Sequence, residues 1–283
     1  MKKETKDPKI YFSYNVKDKE IANEIISYYK KNNLNIISLE DYLKPGELFV
    51  DGVLNTIEAA DIFVLIISEN YIKSNLIEVE IQIVLEEMKK RDVIVLPIKI
   101  DDCEIPSLLR NFYWLNLKIN FESNLEESLN LIAKSFNIDY SKLNYSTFSN
   151  LVEDILIRRE FENIRIPSGI DLGYDMIADF FSKDPIDGFK KEIWIIELKL
   201  YQEQKPNIES LQQMVSYLQK HKANYNGLII TTGQFTSAAL KWLNKQINRN
   251  LNIRIIDGPK LRRILLSFPD LIIKYFTNRE EMK

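Results

Sequence analysis

One cysteine and one histidine in 283 residues set the first limits on this chain. Cys103 has no partner for an internal disulfide, and thiolates cannot supply a zinc site. His221, in the charged stretch QKHK, reads as a surface residue, so most histidine-driven catalysis is excluded. No charged-then-apolar leader of the secretory kind opens the sequence, and no run of about 18 apolar residues occurs. A cytoplasmic chain with no membrane partner is therefore expected. The longest apolar clusters, IFVLII and VIVLPI, have the length of buried strands. Chemistry falls to carboxylates, lysine, serine, threonine and tyrosine.

Hydrophobic residues make up 45% and charged residues 28%, the composition of a soluble globular protein long enough for two domains. The net charge of -3 is unevenly spread, because residues 199–263 carry 11 basic and 3 acidic side chains. A basic block of this kind is what a polyanion-binding surface needs. Ordinary lysine-rich helix faces are the alternative.

The first half alternates strands and helices. KIYFSY, LNIISL, DIFVLIIS and DVIVLPIKI read as strands, FYWLNLK as a further one, and helical spacing fills the gaps. Apolar strands alternating with helices imply a parallel sheet covered on both faces. SNLIEVEIQIV, residues 74–84, is locally ambiguous, since Glu78, Glu80 and Gln82 alternate with apolar residues as in a strand. A parallel sheet nevertheless needs a helical crossover between DIFVLIIS and DVIVLPIKI, and 71–91 is the only segment for it. In helical register Glu78 has mixed neighbours, whereas Glu80 has Leu76, Ile77, Ile83 and Val84, all apolar. A carboxylate there needs a reason.

A polar stretch at 138–144 is taken as a linker between domains at 1–137 and 145–283. The second half reads αββαβαβα, again α/β. Glu197 and Lys199 in IIELKLY lie two apart on a strand and share a face with Ile193 and Ile195. With Asp175 from GYDMIADF, Glu197 makes a hard oxygen site suited to Mg²⁺. Lys199 stands beside it to orient water for attack on a phosphodiester.

YFSY on the first strand, EDYLKPGELF, ADIFVLIISENYIKSNLIEVEI and VIVLPIKIDDCEIPSLL together resemble the TIR domain, especially its bacterial forms, over residues 8–137. The resemblance implies a flavodoxin-like parallel-sheet domain. In its enzymatic members a glutamate follows S-x-W-C-x-x-E and cleaves the nicotinamide–ribose bond of NAD. Ser74, Leu76 and Ile77 take the Ser, Trp and Cys places, and Glu80 falls on the glutamate. Asn15 stands where an aromatic residue often follows FSY. The same resemblance implies that Phe12, Tyr14 and Phe49 contact substrate, and that the domain self-associates.

The D…E-x-K constellation of Asp175, Glu197 and Lys199 resembles the PD-(D/E)xK restriction-endonuclease superfamily, in its Mrr-like branch. QMVSY adds Gln213 and Tyr217, a pair that recurs in related nucleases as auxiliary residues. Glu153 is either a further metal ligand or a solvated helix residue. Lys220, Lys222, Lys241, Lys245, Arg262 and Arg263 are available for phosphate contacts. The two resemblances imply an antiphage-type immune effector with NAD and DNA as substrates, Mg²⁺ as cofactor, and a possible partner protein of the same defence system. The alternative is a non-enzymatic TIR module for assembly or signal binding that controls a nuclease.

Overall fold

The computed structural model describes residues 8–42, 45–46, 49–74, 77–134, 136, 138–167, 173–184, 188–201, 208–220, 225–247 and 251–277. The chain divides into two compact units, Met1–Ile138 with Arg263–Lys283, and Asp139–Arg262. Among the described residues no helix is long and apolar enough to cross a membrane.

The first unit runs β1 (Lys9–Ser13), α1 (Lys19–Lys31), β2 (Asn35–Ile37), α2 (Phe49–Ala59), β3 (Ile62–Ile67), α3 (Glu69–Ile72), α4 (Ile77–Lys90), β4 (Ile94–Lys99), β5 (Leu115–Asn116) and α5 (Phe121–Lys134). Its sheet has the order β2-β1-β3-β4-β5, and every pairing is parallel. All six residues of β3 are buried, as a central strand between two helical layers requires. Ile57 of α2 and Ile81, Val84 and Met88 of α4 pack on the face carrying Tyr11, Phe63 and Leu65. On the other face Phe12 meets Tyr29 of α1 edge-on at 5.2 Å. Tyr29 in turn donates to Ser128 of α5 at 2.5 Å. The crossover between β3 and β4 is helical, so residues 77–90 are not a strand. The FYWLNLK strand contracts to the two residues of β5.

The second unit runs α6 (Tyr145–Arg158), β6 (Phe161–Arg165), β7 (Met176–Asp184), β8 (Gly188–Lys199), α7 (Ile208–Lys220), β9 (Tyr225–Thr231), α8 (Ser237–Ile247) and β10 (Ile253–Ile256). Its sheet has the order β10-β9-β8-β7-β6. β6, β7 and β8 pair antiparallel, whereas β8, β9 and β10 pair parallel. β6 is an addition to the sequence reading. It is an exposed edge strand with a register shift between Glu162 and Arg165, so it carries no clean alternation. α9 (Gly258–Leu266) contains the division between the units, and α10 (Pro269–Phe276) packs on α5 of the first unit through a face that buries Leu271, Ile272 and Phe276. The sequence reading, whose second domain runs 145–283, expects no helix here.

Arg91 closes the end of α2. Its two Nη atoms donate to the carbonyls of Ala60 and Ile57, each at 2.7 Å, while Nε donates to Glu87 at 2.9 Å. Glu87 is buried, and Lys90 and Arg91 hold its carboxyl below the usual range. Arg91→Ala leaves two helix-end carbonyls and a buried carboxylate short of donors, and is expected to destabilise the first unit by about 2 kcal/mol. Arg91→Lys is expected to recover little, because an ammonium cannot span both carbonyls in a fork. Urea unfolding followed by circular dichroism measures both variants.

Candidate functional site

Ser13 is the last residue of β1 and, by the two-residue period of a strand, faces the same way as Tyr11. Both meet Glu80, which α4 brings over that face. Ser13 Oγ donates to Glu80 Oε2 at 2.6 Å, and Tyr71 OH lies 3.4 Å from the same oxygen. Tyr71 also stands 3.0 Å from Ser13 Oγ. Ser13 gives its one proton to the carboxylate, so the one proton of Tyr71 is shared between Ser13 Oγ and Glu80 Oε2. Tyr11 is a third hydroxyl bonded to Glu80. Burial raises the Glu80 carboxyl above its ordinary value, and hydrogen bonds from Ser13, Tyr71 and Tyr11 offset only part of that. Burial and the Glu80 charge push both tyrosines upward, so they stay protonated as donors. Glu80 and its hydroxyls line a cleft of about 740 Å³ that also includes Tyr14, Asn15 and Lys19.

In the second unit Asp175 is pinned to the neighbouring strand twice. Its own N–H donates to Ile196 O at 2.9 Å, and Leu198 N–H donates to its Oδ2 at 2.6 Å. Tyr145, the first residue of α6, donates its hydroxyl to Oδ1. On β8, Glu197 is 8% exposed and pairs with Lys199 at 2.5 Å. Burial pulls the Lys199 ammonium down, but Glu197, with Asp175 behind it, more than offsets this, and the pKa is raised. Asp175, Glu197 and Lys199 open onto a cleft of about 990 Å³ whose far wall is α7, presenting Glu209, Gln213, Tyr217 and Lys220. Tyr174 meets the Tyr217 ring edge-on at 5.3 Å. Among the described residues no three His, Cys, Asp or Glu side chains cluster closely enough to cage a cation. Two carboxylates on an open cleft fit Mg²⁺ all the same, since that ion keeps several waters and draws further ligands from substrate phosphates.

Asp175, Glu197, Lys199, Gln213 and Tyr217 thus come together around one cleft. Tyr14 lines the first cleft beside Glu80. Phe12 also lines that cleft, while its ring packs edge-on against Tyr29 of α1. Phe49 opens α2, but its side chain lies outside the described residues, as do His221 and Lys222. Glu153 sits on α6 and is not among the residues lining the second cleft. Cys103 is buried, and its thiol is pushed up to about 12 by that burial and by Asp101, which rules out a thiolate nucleophile. The sequence reading missed Tyr11, Ser13, Tyr71 and Tyr145. Of these, Tyr11 and Ser13 were accessible through strand alternation from the motif YFSY.

Residues 10–129 match the family model for the TIR domain, and residues 140–265 match that for a restriction endonuclease. The chain joins a TIR domain to a restriction-endonuclease domain. Among solved structures, the TIR domain of the Toll-related receptor TRR-2 from Hydra magnipapillata aligns at 20% identity over 43% of this chain and 97% of its own, with a TM-score of 0.36. The DNA modification-dependent restriction endonuclease AspBHI aligns at 14% identity over 53% of this chain and 39% of its own, with a TM-score of 0.37. A metazoan TIR-STING receptor from C. gigas aligns at 14% identity over 94% of this chain and 95% of its own, again at 0.37. The chain therefore spans well under half the length of AspBHI. A search of curated proteins gave no match.

The TIR domain keeps a desolvated acid, and this has a consequence for stability. Glu80 binds its proton more tightly folded than unfolded, so the stability it contributes is present at low pH and is lost as pH rises from the ordinary value of 4.5 through the raised one. Glu80→Gln removes that loss. The variant is expected to unfold at a higher temperature than the parent at neutral pH, with the gap closing as pH falls below 4.5. Thermal unfolding between pH 4 and 8 measures it.

Proposed function

We propose that this chain is a cytoplasmic immune effector whose TIR domain hydrolyses NAD and whose endonuclease-type domain cleaves DNA with a divalent metal. The supporting observation for the first activity is Glu80, a desolvated carboxylate at a cleft, with Oε2 tied by Ser13 and Tyr71. Nicotinamide leaves NAD as a neutral ring, so its departure needs no general acid. Positive charge builds on the ribose carbon as the C–N bond breaks, and a carboxylate in a water-poor site stabilises it. The hydroxyls fix the carboxylate so that it need not reorganise during bond cleavage. Water then adds to the ribose carbon and releases a proton, giving ADP-ribose.

In the second domain Asp175 and Glu197 would hold Mg²⁺, and the bound ion would polarise the scissile phosphate. Lys199, kept charged by Glu197, gives one N–H to that partner and has two more for a phosphate oxygen or the attacking water. Gln213 and Tyr217 reach the cleft from one face of α7 and suit contacts to the DNA backbone. Self-association through the TIR domains and a partner protein of the same defence system belong to this reading.

A second reading, a TIR domain that only assembles or binds a signal, is favoured by one observation. Asn15 occupies a structural post, its Nδ2 donating to Asn70 O at 2.9 Å and its Oδ1 accepting from Lys17 N–H at 3.0 Å, rather than offering an aromatic surface.

Two variants separate these readings. Glu80→Ala is expected to slow NAD loss by at least about 100-fold, and an unchanged rate rejects the assignment of Glu80. Asp175→Ala is expected to abolish Mg²⁺-dependent plasmid cleavage, and persistent cutting rejects the nuclease site. Each assay is run over a range of protein concentrations, because the assembly expected of the TIR domain makes NAD turnover rise faster than linearly.

A further inference from the structure

We infer that Tyr145 is a positioning residue for Asp175, holding its carboxylate in the orientation that receives the divalent cation; this rests on the nuclease reading above. Asp175 stands just ahead of β7, where sheet pairing alone does not fix a side chain. Three hydrogen bonds fix it instead. The backbone N–H and Oδ2 are tied to β8, through Ile196 O and Leu198 N–H. Oδ1 is tied to α6, through the Tyr145 hydroxyl. Leu198 lies between Glu197 and Lys199, so the first ties set Asp175 relative to those two residues. The tyrosine sets the remaining freedom, rotation of the carboxylate plane.

A carboxylate offers about four lone-pair positions. Tyr145 and Leu198 take one on each oxygen, which leaves one on each for a cation. This is the arrangement of an outer donor that orients a metal ligand. The position of Tyr145 is itself well determined. Asn144 caps α6, its side chain accepting from Thr147 N–H at 2.9 Å, while Thr147 Oγ1 accepts from Asn144 N–H at 2.9 Å. Tyr145 is the next residue, held at a stiff helix start. Core packing does not account for a tyrosine here, because the residue is 51% exposed. Its hydroxyl, not its ring, makes the specific contact.

The test uses the full chain without DNA and follows binding of Mn²⁺, as a stand-in for Mg²⁺, by the loss of the free-ion paramagnetic resonance signal. Tyr145→Phe is expected to weaken Mn²⁺ binding about 10-fold while leaving the thermal unfolding midpoint unchanged. Asp175→Asn is expected to lose the same site. If Tyr145→Phe binds Mn²⁺ as tightly as the parent or more tightly while Asp175→Asn loses it, the role of Tyr145 is wrong and the metal site stands. If Asp175→Asn binds like the parent, or the parent binds no Mn²⁺, the metal reading fails and the inference with it. A Tyr145→Phe variant that weakens binding only together with a lowered unfolding midpoint also overturns the inference, since the hydroxyl would then be structural.

Discussion

A carboxylate taken out of water has to be matched by donors, and both clefts of this chain are organised around that requirement. A desolvated, unpaired carboxylate costs several kcal/mol or takes up a proton. The two domains meet the demand differently. In the TIR domain the donors around Glu80 are neutral hydroxyls, from Ser13, Tyr71 and Tyr11, and the acid keeps a raised pKa. In the endonuclease-type domain Glu197 has a cation, Lys199, and Asp175 has a peptide N–H and a phenol. Hydroxyl donors leave most of the negative charge of Glu80 available to positive charge developing in the cleft. A lysine partner instead makes a mixed-charge site, suited to an anionic phosphate and a metal ion together.

The first arrangement depends on chain topology more than on any local motif. A strand order of 2-1-3-4-5 has its switch point between β1 and β3, and open parallel sheets bind ligands beyond the carboxyl ends of the strands at that point. Ser13 is the C-terminal residue of β1 and Tyr71 follows β3 by one turn of helix. The α4 crossover that must return the chain to β4 then passes over this opening and brings Glu80 to it. Sheet order, crossover and acid are one consequence of burying β3 on both faces.

The same reasoning explains what could be read in advance. Glu80 was legible because chain order forces a helix at 77–90 although its local alternation favours a strand. The pairing of Glu197 with Lys199 was legible because E-x-K on a strand puts both ends on one face, and Asp175 was placed beside them by the neighbouring strand segment GYDMIADF. Phe12 sits between Tyr11 and Ser13, so strand alternation packs its ring on Tyr29 although the residue still borders the cleft. Tyr71 and Tyr145 were not legible. One reaches its acid from α3 to α4, nine residues on, and the other across 30 residues of chain, and no spacing rule connects them. Edge strand β6 and helix α10 were missed for a related reason. An exposed strand has no buried face to imprint on its sequence, and a short apolar helix does not record which core it joins.

Tyrosine does in both sites what histidine does in many enzymes, and the composition leaves little alternative with one histidine in the chain. A phenol far below its pKa donates a hydrogen bond across the whole physiological range, whereas imidazole changes state within it. Tyr11 and Tyr71 are raised further by burial and by the Glu80 charge, and Tyr145 by burial and its bond to Asp175. These donors therefore hold their carboxylates at any pH the cell presents. Within this hydrogen-bonded set the Glu80 carboxyl is therefore the group that titrates first as pH rises, because its phenol partners ionise only far above it.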